Sequence, residues 1–215
     1  MGAEFDMLNF LSDGPSDAAL SLALAHGAGA AMDTKFMQYF AKHLGTRGYR
    51  ITRFEFPYMA ERRITGKKRP PDHLSKLQET WMAIISYLGP ENLVIGGKSM
   101  GGRIASIVAD EARVKGLLCL GYPFHAPGKL PGPNRLEQLK SLQTPTLICQ
   151  GTRDAFGTID QVSKYRLSNS IKLHWVEDGD HGFKPRKQSG QTEEKNWRNA
   201  LDASCAFLEG LSSIS

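Results

Sequence analysis

One glycine-dense turn constrains this chain more than any other feature. Residues Asn92 to Asp110 run from an apolar stretch, Leu93-Val94-Ile95, through Gly96-Gly97-Lys98-Ser99-Met100-Gly101-Gly102. They continue into a segment where Ile104, Ile107 and Val108 recur at helical spacing. The frame Gly97-Lys98-Ser99-Met100-Gly101 matches G-x-S-x-G, a strand-to-helix turn with a serine at its tip. A backbone bent so sharply is strained. Side chains two residues before and after the tip would collide with each other or with the neighbouring strand, so both places go to glycine. Ser99 then stands at a helix N-terminus, where unpaired N–H groups and the helix dipole favour negative charge. The same residues offer a rival reading, since Gly97-Lys98-Ser99 could close a phosphate-binding loop. That loop, G-x-x-x-x-G-K-[ST], needs glycine at position 92, where this chain has asparagine and then strand-like residues.

With 215 residues the chain can bury one good α/β core and is short for two, so residues 1–215 are expected to form a single domain. Charged residues make up 23% and hydrophobic ones 40%, an ordinary globular balance that argues against disorder. Lys and Arg number 27 against 22 Asp and Glu. Arg62, Arg63, Lys67, Lys68 and Arg69 account for the whole excess. The sequence therefore predicts one basic loop, Glu61 to Pro71, rather than a basic face, and nucleic acid is not an expected partner. The loop could still steer an anionic substrate.

Cys119, Cys149 and Cys205 are an odd number without metal-ligand spacing and read as small buried hydrophobes. No metal and no cofactor are expected. The start of the sequence lacks a charged-then-apolar leader pattern, and no apolar run approaches the ~18 residues of a membrane span. A reducing, cytoplasmic setting without membrane contact is the expectation.

Along the chain, Phe5 to Leu11 could form an edge strand. Strands are predicted at Leu20 to Ala25, Tyr49 to Phe56, the stretch before Ser99, Val114 to Gly121, Thr146 to Gly151 and Ile171 to Val176. Helices are predicted at Thr34 to Gly45, Leu74 to Leu88, after Ser99, Arg135 to Leu142, Ile159 to Leu167 and Thr192 to Leu211. Prolines and glycines between Tyr122 and Pro133 exclude regular structure there. Strands alternating with helices predict a mostly parallel sheet of six to seven strands between two helical layers, a three-layer α/β/α fold.

A serine hydroxyl is a weak nucleophile and needs a base, which in turn needs an acid to fix its tautomer. In such sheets the partners sit at the carboxyl ends of strands. Asp154 follows the strand ending at Gly151, and His181 follows the strand ending at Val176. The order Ser99, Asp154, His181 is the one expected for a hydrolase of this architecture. Asp178 and Asp180 are alternative partners for His181. His43, His73, His125 and His174 are competing bases, but none lies in a glycine-flanked loop after the last strand. His26-Gly27-Ala28-Gly29 ends the strand expected beside the serine strand. It can supply the second backbone N–H of an oxyanion hole, Ala28 with Gly29 as fallback, the first being that of Met100. His26, Gly27, Gly29, Lys98 and Tyr122 are the candidate substrate-site residues, His26 as a loop-fixing group rather than a base.

Taken together, Leu-Ala-His-Gly-Ala-Gly-Ala, Phe-Pro-Tyr-Met-Ala, Gly-Gly-Lys-Ser-Met-Gly-Gly-Arg, Gly-Tyr-Pro-Phe-His, Gln-Gly-Thr-Arg-Asp and Gly-Asp-His-Gly-Phe resemble the compact branch of the α/β-hydrolase superfamily. That branch is similar to dienelactone-hydrolase-like proteins and includes the testis-expressed and NSL-complex hydrolase-like proteins. The resemblance runs from about Leu20 to the C-terminus and carries the catalytic triad onto Ser99, Asp154 and His181. Two departures stand out: the first 20 residues are short for a full eight-stranded sheet, and no cap is inserted before Thr146. The resemblance implies a serine hydrolase acting on a small acyl substrate, an ester, thioester or peptide. The alternative is an interaction scaffold with an idle site, bound to a protein partner.

Overall fold

The computed structural model describes residues 9–132 and 135–212. Seven strands form one sheet: β1 (Leu11–Asp13), β2 (Ser21–Ala25), β3 (Arg50–Phe54), β4 (Leu93–Lys98), β5 (Gly116–Leu120), β6 (Thr146–Gly151) and β7 (Ile171–Val176). Their order is β1-β3-β2-β4-β5-β6-β7, with β1 antiparallel to β3 and every other pairing parallel. The parallel strands therefore deliver their carboxyl ends to one rim. The expected edge strand at Phe5 to Leu11 falls mostly on residues 1–8, outside the described residues; the strand that pairs with β3 starts at Leu11.

Both faces of the inner strands are apolar, as burial on both sides demands. On β2, Leu22 and Leu24 point into one core and Ala23 and Ala25 into the other. The first core is completed by α1 (Lys35–Gly45) and α7 (Glu193–Ser212) through Met37, Phe40, Leu44, Leu201 and Leu208. The second is completed by α3 (Leu74–Leu88) and α4 (Met100–Ala112) through Trp81, Ile84, Ile104 and Val108, with Trp81 edge-on to Phe54 at 4.7 Å between centroids. The small Ala23 and Ala25 let the α4 layer approach the sheet, while leucines fill the wider space under α1.

Two expectations are corrected. The stretch read as a basic loop opens with a helix, α2 (Pro57–Thr65), closed by Gly66 at φ 69°. Pro57 does not only end a strand. Its fixed φ starts the helix at the first position, and Tyr58 and Met59 then bury against the core. The predicted helix Ile159 to Leu167 shrinks to the single turn α6 (Ile159–Val162). Val162 is its only buried residue, and Tyr165 and Leu167 reach the core from non-helical backbone, so a longer helix has no apolar face to dock.

Among the described residues the connection from β5 to β6 carries only the short helix α5 (Glu137–Ser141), and no cap domain stands over the rim. Among those residues no helix is long and apolar enough to cross a membrane. All three cysteines are buried and unpaired, and burial pushes the Cys119 and Cys149 thiols far up, Cys149 to about 12.

Candidate active site

Ser99 sits between β4 and α4 with φ 52° and ψ −115°, a conformation a side-chain-bearing residue adopts only under constraint. The two motif glycines supply that constraint. A Cβ on Gly97 would lie 2.0 Å from the carbonyl oxygen of Ala25, and one on Gly101 would lie 2.4 Å from the same atom. Helix α4 and strand β4 thus press directly on the backbone of β2, and the turn has nowhere to relax.

The rim brings Ser99, His181 and Asp154 together. His181 Nε2 lies 2.8 Å from Ser99 Oγ, and His181 Nδ1 lies 2.7 Å from Asp154 Oδ2. A carboxylate only accepts, so Nδ1 carries the proton and Nε2 is left to accept from the serine hydroxyl. Asp154 is fully buried. Its Oδ1 accepts from the Phe156 N–H at 2.8 Å, and its Oδ2 also accepts from Gln150 Nε2 at 2.9 Å. The alternative partners of His181 are committed elsewhere. Asp180 Oδ1 caps the turn by accepting from Gly182 and Lys184, and Asp178 is paired with Arg153 and Arg186. Burial is the main influence on His181 and lowers its pKa below the usual imidazole value; the Asp154 hydrogen bond opposes this, and the Lys98 charge adds to it. A base kept neutral near physiological pH is ready to accept a proton.

Lys98 turns inward. Its Nζ donates to the backbone carbonyl of His181 and stands 5.4 Å from the Phe36 ring centroid. Burial brings its pKa down to about 8, against the pull of Asp154 and Asp180. The ammonium is thus a brace under the histidine loop. Phe156 covers the imidazole from the other side, with ring centroids 4.4 Å apart.

The turn after β2 passes close to the serine: a Cβ on Gly27 would be 3.6 Å from Ser99 Cβ. His26 is fully buried beneath it. Its Nδ1 lies 2.7 Å from the Gly27 carbonyl and its Nε2 accepts from the Phe56 N–H at 3.1 Å, so both ring nitrogens are used by a neutral ring, and burial lowers its pKa. Because a trans peptide sets C=O and N–H in opposite directions, a Gly27 carbonyl turned inward to His26 turns the Ala28 N–H outward to the rim. Tyr58 fixes the next peptide by donating to the Ala28 carbonyl at 2.9 Å. Among the described residues neither the Ala28 nor the Met100 N–H donates to an acceptor within the chain.

Two clefts of about 300 Å³ each meet at Ser99. The first is lined by the turn Gly27 to Ala31, Thr34, Met37, Lys98, Phe156 and His181. The second lies on the α3 and α4 side, with Leu74, Leu77, Met100, Arg103, Pro123 and Arg135; Ala28 and Phe156 belong to both. Of the sequence-derived substrate-site residues, Gly27, Gly29 and Lys98 line the first cleft. His26 and Tyr122 are fully buried and line neither, so their side chains shape walls instead of surfaces. Among the described residues no group of three or more His, Cys, Asp and Glu side chains could hold a metal ion.

Gln150 was not singled out from sequence. It is fully buried on β6, its Oε1 accepts from Tyr122 N–H at 2.7 Å, and its Nε2 donates to Tyr122 O, Asp154 Oδ2 and Gly157 O. An amide at the end of the wholly apolar run Leu147-Ile148-Cys149, four residues before Asp154, was the available signal. The basic cluster is also not what its composition suggested. Arg63 pairs with Glu55 and Asp33, Arg62 reaches the Gly29 carbonyl at 3.4 Å, and Arg69 pairs with Glu61. Three of the five cations are thus spent on tying α2 to the turn after β2 and to itself.

The sequence model of the alpha/beta hydrolase domain matches residues 18–209. No curated protein sequence matches the chain. Among solved structures, Est1E from Butyrivibrio proteoclasticus superposes with a TM-score of 0.67 at 14% identity, over 94% of this chain and 95% of that one. XC6422 from Xanthomonas campestris, described as an a/b serine hydrolase without lid, gives 0.63 at 19% identity over 96% and 88%. An alpha-beta serine hydrolase homologue from Coxiella burnetii gives 0.64 at 16% identity over 97% and 92%. At such identities these likenesses concern the fold.

Proposed function

Because the chain belongs to the alpha/beta hydrolase domain family, we propose that it is a serine hydrolase that cleaves an ester, thioester or related acyl bond. Ser99 Oγ attacks the acyl carbon and passes its proton to His181 Nε2. The carbonyl oxygen gains the electron pair and is held by the Ala28 and Met100 N–H groups. When the carbonyl re-forms, the bond to the leaving group breaks and His181 protonates that group as it departs, leaving an acyl ester on Ser99. A water then gives one proton to His181 and adds its oxygen to the acyl carbon. His181 returns the proton to Ser99 as the carboxylic acid is released. Asp154 stays ionised and holds the imidazole in the required tautomer.

One observation carries this reading. The continuous Asp154–His181–Ser99 hydrogen-bond chain ends on a serine held at positive φ at a helix start, beside two N–H groups without acceptors among the described residues. Est1E, similar in fold, is described with a carboxylic acid, ferulic acid, bound. Fluorophosphonate labelling of the wild type, lost in Ser99→Ala together with about 10^4 to 10^6 of kcat, is the expected outcome. A folded wild type that resists every such probe would sink the proposal.

A further inference from the structure

The two clefts differ in what they can hold. A trigonal acyl carbon at Ser99 has three substituents: the oxygen, directed to the Ala28 and Met100 N–H groups, the leaving group, and the acyl chain. The leaving group must depart within reach of His181 Nε2, and His181 lines the first cleft but not the second. The acyl chain is left with the second cleft. There Leu74, Leu77 and Pro123 form an apolar wall and Arg103 and Arg135 bring two guanidinium groups onto the same lining. Arg103 leaves the first turn of α4, with its N–H on the Ser99 carbonyl at 3.0 Å, so it is rigidly indexed to the nucleophile. Arg135 is held at both ends: its carbonyl accepts from Tyr122 Oη at 2.9 Å, and its Nη1 donates to the Pro123 carbonyl at 2.8 Å. Burial lowers the pKa of Arg103, Tyr122 opposes this, and Arg135, on the same lining, adds to it. Among the described residues on this lining the carboxylate is Asp72, which already accepts from the Tyr58 N–H at 2.9 Å.

Resting on the acyl-transfer reading above, we propose that the second cleft is an acyl subsite for a short chain ending in a carboxylate, with Arg103 and Arg135 pairing the terminal acid. The favoured substrates are then half-esters or half-thioesters of dicarboxylic acids. A volume of about 300 Å³ is at the small end of ligand pockets and suits an acyl group of a few carbons. Guanidinium forks match a planar carboxylate with paired hydrogen bonds.

Two ethyl esters with the same leaving group test it: monoethyl glutarate and its neutral isostere ethyl 5-methylhexanoate, with ethanol release as readout. Wild type should show kcat/KM at least about tenfold higher for the acid half-ester, a ratio that shrinks with added salt. Arg103→Met and Arg135→Gln should each bring the ratio toward one, chiefly through KM for the half-ester, and Arg135→Lys should keep part of it. Free glutarate should slow fluorophosphonate labelling of wild type more than of either variant, a readout that needs no turnover. Equal kcat/KM for the two esters with Ser99 still labelled, or a preference that survives in the double variant with an unchanged melting temperature, overturns the subsite alone. Absence of labelling and of turnover on both esters overturns the serine-hydrolase reading instead.

Discussion

Two turns on the same rim each present a histidine, and the difference between them is instructive. After β2, His26 is sealed inside with both ring nitrogens spent on backbone groups, Gly27 O and Phe56 N–H. After β7, His181 keeps 26% of its side chain exposed and spends its nitrogens on side chains, Asp154 and Ser99. Both imidazoles are lowered by burial. In the proposed reaction the partner separates the structural ring from the reactive one: a backbone amide cannot give up its proton at neutral pH, whereas a hydroxyl aimed at an electrophile can.

The sharpest test sets the two rings against each other. His181→Ala should lower kcat by about 10^5 to 10^6, while His26→Ala should cost at most about 10^2 to 10^3, the range for losing one oxyanion donor, together with a lower melting temperature. Comparable losses in steady-state kinetics would break the contrast. Next in size, Asp154→Asn should cost about 10^4 in kcat by presenting the wrong tautomer, whereas Asp180→Asn should leave kcat within about tenfold, since Asp180 only accepts from the turn.

Gln150→Leu should cost less in rate and more in stability. It leaves the buried Tyr122 N–H without its acceptor, worth about 1–3 kcal/mol in denaturant titration, and loosens Asp154.

The smallest effect concerns pH. In the proposed mechanism the neutral form of His181 is the working form, so kcat/KM should rise as pH climbs through a pKa below the usual 6.5. Lys98→Met removes a charge that lowers this pKa, and the acid limb should move to higher pH, while Lys98→Arg should hold it near the wild-type position. The stability sign follows from the lysine itself. Its folded pKa of about 8 lies below the ordinary 10.5, so the unfolded chain binds more protons between those values. The wild type should therefore gain stability relative to Lys98→Met as pH rises from 8 to 10.5, read as a difference in denaturation midpoints.

The parts of this site that were legible in sequence are those whose cause is local. Gly97 and Gly101 announced a turn that only glycine permits, and β2, β4, β6 and β7 followed from apolar runs that end in glycine or polar residues. Chain order then nominated Asp154 and His181 over their neighbours. The contacts that could not be read join residues far apart. Lys98 bends back to a loop 83 positions on, and nothing about the dipeptide Lys98-Ser99 says that the ammonium turns inward. Arg62 and Arg63 read as part of a basic loop because their partners, Gly29, Asp33 and Glu55, are brought beside them only once α2 packs. Pro57 follows directly on the strand predicted to end at Phe56, and its ring is equally a helix start.

The connection from β5 to β6, which among the described residues carries only the short helix α5, has a kinetic consequence. With nothing among the described residues to swing shut over the rim, neither substrate entry nor the arrival of the hydrolytic water waits on a hinge there, so turnover should be insensitive to lipid interfaces and show no lag before steady state. Discrimination among substrates must then reside in fixed wall chemistry alone, and exchanging one wall residue should retune preference without slowing any gate.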